Sequence, residues 1–117
     1  MKLLIENGRL IDPANHIDGI RNIAVADGKI VAITEADVPV SEFSPDRTID
    51  AGGLVVSPGF VDLAARLREP GYEHKATLES EMQAAVAGGV TSLVCPPDTD
   101  PVLDEPGLVE MLKYRAA

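Results

Sequence analysis

Asp62, Ala64 and Arg66 stand two residues apart at the end of an apolar run that begins at Phe60. In a β-strand, residues two apart point to the same side, so the three are expected to share one face. Two imidazoles at positions 64 and 66 would both offer nitrogens to one cation, and a strand end of that kind suits a metal pair. This chain supplies neither. Ala64 has no lone pair to give, and Arg66 is a permanent cation that carries donors only and repels a metal ion. No metal site is expected at Ala64 and Arg66, and no cofactor is predicted. Arg68 follows in Leu67-Arg68-Glu69-Pro70-Gly71. A Pro-Gly loop after a buried strand is a common setting for a binding residue, and a guanidinium there suits an anion.

An arginine at position 66 that points inward needs a counter-charge. Asp98 and Asp62 are the candidates, set against a solvent-exposed Arg66 or an Asp62 used only for structural hydrogen bonding. Arg68 has Glu69 and Glu73 as structural alternatives to a ligand. His74 is a single imidazole on a loop and makes a poor metal site; His16 lies in a polar turn and is expected at the surface. Cys95, with no histidine near it in sequence, reads as a packing residue rather than a nucleophile. Gly88-Gly89 reads as a helix stop, since no Gly-rich loop with a P-loop lysine exists.

The composition narrows the class. The chain has 117 residues, 45% hydrophobic and 25% charged, with a formal net charge of −9, which is ordinary for one globular domain. The acidic balance argues against nucleic acid, because phosphate binding calls for basic patches. Aromatics are 3% and Trp is absent, so no stacking platform is available. No run of about 18 apolar residues is present, and no membrane partner is expected. The start, Met1-Lys2-Leu3-Leu4-Ile5-Glu6, does not read as a signal peptide. One cysteine excludes an internal disulfide framework and fits a reducing cytoplasm, the expected location.

Two regions must position the chemistry. Residues 1–57 read as a small antiparallel β module: Leu3-Leu4-Ile5 runs into Asn7-Gly8, and Leu10-Ile11 into Asp12-Pro13. Ile23–Ala26 and Lys29–Ile33 flank Asp27-Gly28, the signal for a two-residue hairpin. Residues 34–46 read as a loop, with strands at Thr48–Asp50 and Leu54–Val56. Residues 58–117 read as two β/α units: a strand at Phe60–Leu63 buried on both faces, a polar loop over 68–76, and a helix from an N-cap at Thr77 to about Ala87. A buried strand over Val90–Cys95 and a helix opening at Pro106 complete them. Two β/α units cannot close an eight-fold barrel, which needs roughly 200 or more residues. The chain is therefore expected to be the N-terminal part of a longer protein.

These residues resemble the dihydroorotases of the amidohydrolase superfamily. Asn7-Gly8-Arg9-Leu10-Ile11-Asp12-Pro13 and Asp27-Gly28-Lys29-Ile30 resemble that superfamily's small β-sandwich. Gly88-Gly89-Val90-Thr91-Ser92 resembles the passage into its second barrel strand, and Arg68-Glu69-Pro70-Gly71 with Glu73 and Lys75 is particular to dihydroorotases. The resemblance implies an α/β fold, the first part of a (β/α)8 barrel preceded by sandwich strands. It places Ala64 and Arg66 where the family has two metal-binding histidines. It also gives Arg68 the role of holding a substrate carboxylate, and puts Asp98 where the family carries a substrate-binding asparagine. Asp98 would repel a dianionic carbamoyl-aspartate.

The combination is similar to catalytically inactive dihydroorotase homologues that partner aspartate carbamoyltransferase. It implies a noncatalytic scaffold subunit of pyrimidine biosynthesis in a complex with that enzyme, itself a homo-oligomer. The alternatives are an active cyclic-amide hydrolase with a reduced zinc site and a binding protein for an anionic metabolite.

Overall fold

The computed structural model describes residues 1–36 and 42–116. The chain divides into two compact units, Met1–Pro58 and Gly59–Ala117.

The first unit is a mixed five-stranded sheet. Strand β1 (Lys2–Asp12) pairs antiparallel with β2 (Ile17–Ala26), which pairs antiparallel with β3 (Lys29–Glu35). Strands β4 (Arg47–Asp50) and β5 (Val55–Val56) both run parallel to β1. The expected antiparallel module is thus only half right, because β4 and β5 return to the free edge of β1 after a long connection rather than a tight turn. Residues 37–41 of the expected 34–46 loop lie outside the described residues, and β3 extends into its start. The hairpin at Asp27-Gly28 forms with both residues at positive φ (51° and 74°), as a type I′ turn requires. Leu10, Ile23, Ala24 and Ala51 are buried in this unit.

Asn7-Gly8 is a bulge within one strand, not the turn between two that the sequence suggests. The β1–β2 register slips between Ile5 and Gly8, with Asn7 at φ 62°. An Asn tolerates that left-handed backbone, and here it is held on both sides. Its backbone N–H donates to the buried Asn22 side chain at 3.2 Å, and its amide donates to Asp50 at 3.1 Å. Gly8 is required by close approach, since a Cβ there would lie 2.6 Å from Val56 Cγ2.

The hydrogen bond from Asn7, with a second from the Gly52 N–H, holds the Asp50 carboxyl below its ordinary range. A carboxylate depressed in the folded state adds stability above its unfolded pKa of about 3.9 and loses it as pH falls through the folded value. Asn7→Ala should therefore be destabilising at neutral pH, and its deficit should shrink as urea unfolding is repeated below about pH 3. A deficit independent of pH would place the effect in the bulge backbone alone.

The second unit runs β6 (Phe60–Asp62), α1 (Leu78–Ala87), β7 (Val90–Leu93) and α2 (Pro106–Arg115), with β6 and β7 parallel. This is a strand-helix-strand-helix α/β arrangement. Helix α1 starts where Thr77 accepts from Ser80 N and donates its own backbone N–H to the Ser80 hydroxyl, a reciprocal cap. It stops at Gly88-Gly89, with Gly89 at φ 80°. Pro106 occupies the first turn of α2, and Lys113 and Arg115 its last, where cations suit the helix dipole.

Neither strand is buried within the described residues as expected: Phe60 and Val61 are 63% and 58% exposed, and β7 stops at Leu93, short of Cys95, with Thr91 and Ser92 exposed. Strand β6 also ends at Asp62, because the Asp62 carboxylate accepts from Ala64 N at 2.9 Å and turns the chain. Ala64 and Arg66 therefore lie beyond the strand, not on one strand face with Asp62.

Candidate functional site

Two loops of the second unit form the site. The first, residues 66–76, leaves the end of β6; the second, residues 94–104, leaves the end of β7. Pairing continues past the strands, with Val94 N donating to Asp62 O at 2.8 Å and Ala65 N to Val94 O at 3.1 Å. The loops then lace together, with Asp100 N donating to Pro70 O at 3.2 Å. Gly71, at φ 97°, sits so close to Asp100 that any side chain at position 71 would strike its carbonyl. A pocket of about 240 Å³ opens between them, lined by Arg66, Arg68, Tyr72, Lys75, Cys95 and Asp98 among others.

Arg66 and Asp98 meet across this pocket. Arg66 Nε donates to Asp98 Oδ2 at 2.6 Å, and both side chains are about half exposed. Of the two candidate partners, the structure selects Asp98; Asp62 is taken by the turn at Ala64. Ala64 lines a neighbouring cleft with Asp62, Arg66 and Arg68. The donor set at positions 64 and 66 is a methyl group and a guanidinium already committed to a carboxylate. These residues do not fit a metal ion.

Arg68 behaves differently. It lies in the left-handed region at φ 66°, and neither structural alternative holds. Glu69 pairs instead with Arg115 and accepts from Leu78 N at 3.0 Å. Glu73 accepts from Gly71 N at 2.9 Å, and its own backbone N–H and that of Gly71 hold its carboxyl below the usual range. Among the described residues Arg68 makes no ion pair. Lys75 also makes none, its ammonium lying 4.9 Å from the Tyr72 ring centre. Arg68 and Lys75 thus line the pocket without a carboxylate partner among the described residues, beside the Arg66–Asp98 pair and the buried Glu69.

Cys95 lines the same pocket. Burial, and to a lesser degree the Asp62 charge, pushes its thiol up, away from the thiolate a nucleophile needs. His74 packs beside Tyr72, ring centres 6.3 Å apart, and His16 is exposed. In the sequence, Lys75 is marked only by its charge next to an arginine-bearing loop, and nothing local marks the pairing of Glu69 with Arg115, 46 residues away.

Comparison with known proteins decides the family, because residues 53–117 match the dihydro-orotase-like family. The chain belongs to that family. It is 49% identical over 116 residues to a dihydroorotase-like protein of Pseudomonas aeruginosa and 45% identical over 116 residues to a dihydroorotase of Syntrophus aciditrophicus. Each match covers 99% of this chain and 27% of the relative, so the chain spans about a quarter of the length of these relatives. Among solved structures, an L-hydantoinase of Arthrobacter aurescens superposes with a TM-score of 0.80 at 31% identity, over 97% of this chain and 24% of that one. A D-hydantoinase from Thermus sp. superposes at 0.68 with 28% identity, over 97% of this chain and 24% of that one. The family and the α/β fold follow from these likenesses. No helix among the described residues is long and apolar enough to cross a membrane.

Proposed function

We propose that this chain is the N-terminal part of a noncatalytic dihydroorotase-like subunit of pyrimidine biosynthesis, a (β/α)8 barrel protein that supports the assembly of aspartate carbamoyltransferase in the cytoplasm. The observation that carries the reading is the Arg66–Asp98 ion pair. It joins a position where the family has a metal-binding histidine to one where it has a substrate-binding asparagine, and commits both to each other. A buried metal pair and a guanidinium cannot occupy one place, so the reading has a chemical basis besides the likeness of sequence. Whole protein mixed with aspartate carbamoyltransferase catalytic chains should elute with them as one species on size exclusion. Separate elution at micromolar concentrations of both would count against the scaffold role.

A second reading is favoured by Arg68 and Lys75, the two pocket-lining cations without a carboxylate partner among the described residues. On this reading the pocket retains a carboxylate-bearing metabolite without turning it over. Calorimetry of the whole protein with carbamoyl-aspartate should then show binding that Arg68→Ala weakens about tenfold or more, the worth of one charge-assisted pair. No heat at millimolar ligand would rule it out.

A further inference from the structure

We infer that Glu69 is a positioning residue for Arg68, an inference that rests on the anion-binding reading of the pocket. Glu69 is only 4% exposed, and its two carboxylate oxygens serve two different helices. Oε2 accepts from Leu78 N at the first turn of α1, and Oε1 faces the guanidinium of Arg115 in the last turn of α2. One buried side chain thus ties the loop to the start of one helix and the end of the other.

The residue immediately before it carries the strain. Arg68 sits at φ 66°, a conformation that glycine adopts freely and that costs other L-residues stability. Its carbonyl is pinned as well, accepting from Tyr72 N at 2.9 Å. A loop whose only task was to turn would be more stable with glycine at 68. Strained residues persist where their surroundings over-determine them, and they concentrate at ligand sites. Here the surroundings are Glu69, and the strained residue is the pocket's unpaired guanidinium. The Glu69 anchor holds the Arg68 backbone so that this exposed side chain starts from the rim of the pocket it lines. Arg115, outside the pocket lining, then acts on the anion through Glu69 and Arg68.

The test uses whole protein with carbamoyl-aspartate as the dicarboxylate probe, measuring affinity by calorimetry and thermal midpoint in parallel. Arg68→Gly should raise the midpoint while weakening the probe about tenfold or more. Arg115→Met and Glu69→Gln should each weaken it by about tenfold at a temperature where both variants are folded, and Arg115→Lys should stay near the parent affinity. Two results would overturn the inference. If Arg68→Gly weakens the probe but Arg115→Met and Glu69→Gln leave its affinity within about twofold, Glu69 is merely structural and the anion site stands. If Arg68→Gly leaves the affinity unchanged, the anion reading itself fails and the inference falls with it.

Discussion

Supplied with zinc, the whole protein should convert carbamoyl-aspartate to dihydroorotate no faster than buffer does. The expectation follows from two side chains. A metal that activates water needs lone pairs aimed at it, and position 64 offers a methyl group. Position 66 offers a cation, locked to Asp98 at 2.6 Å, and a cation at van der Waals range opposes the charge that any metal would bring. Ordinary enzymes accelerate their reactions by about a million-fold or more, so the shortfall against an active relative should be at least of that order. A steady-state assay in both directions, with zinc in excess, measures this. Turnover at about one per second or above would show that the remainder of the protein sustains catalysis without these ligands.

Replacing Gly71 with alanine should be the most destabilising single methyl addition in the second unit. A Cβ at that position would lie 2.1 Å from the Asp100 carbonyl oxygen and 2.7 Å from Asp100 Cβ, with φ at 97°. The obstacle is backbone, so no rotamer change relieves it. Either the residue 66–76 loop or the residue 94–104 loop must move, breaking the Asp100–Pro70 hydrogen bond and opening the pocket. The cost should be about 3 kcal/mol, the upper end for a forced backbone conformation. Gly28→Ala is the control, because Gly28 has φ 74° but open space around it, and should cost only the left-handed penalty of about 1 kcal/mol. Urea unfolding of the two variants compares them directly. Equal losses would mean that φ alone matters and that the close approach of the loops does not constrain the site.

The elements with local chemistry were legible in the sequence. Asp27-Gly28, Thr77, Gly88-Gly89 and Pro106 each act within a few residues, and the hairpin and both helices begin or end where these residues dictate. Long-range pairings were not legible. The parallel return of β4 and β5 depends on which edge of β1 is free, and nothing near residues 47–56 encodes that. Asn7-Gly8 carries turn chemistry, yet a bulge needs the same positive φ as a turn, and only the buried Asn22 and the Asp50 carboxylate decide between them.

At the site, Arg66, Arg68 and Asp98 were all singled out, and the structure brings them to one pocket. The extent of β6 was misread because the apolar run continues to Leu63, whereas Asp62 has already captured the Ala64 N–H. The partner of Glu69 was hidden for a different reason. Arg115 reaches it only once α2 has been placed by the fold.

On the proposed reading, an ion pair stands where the family holds its metal, and the protein is retained as a subunit. One preparation tests it most directly: the whole protein purified from its own cells without chelators, with zinc measured per chain and co-purifying proteins identified in the same sample. Near-zero zinc together with a stoichiometric aspartate carbamoyltransferase chain is the expected result. One or two zinc ions per chain and no such partner would contradict it.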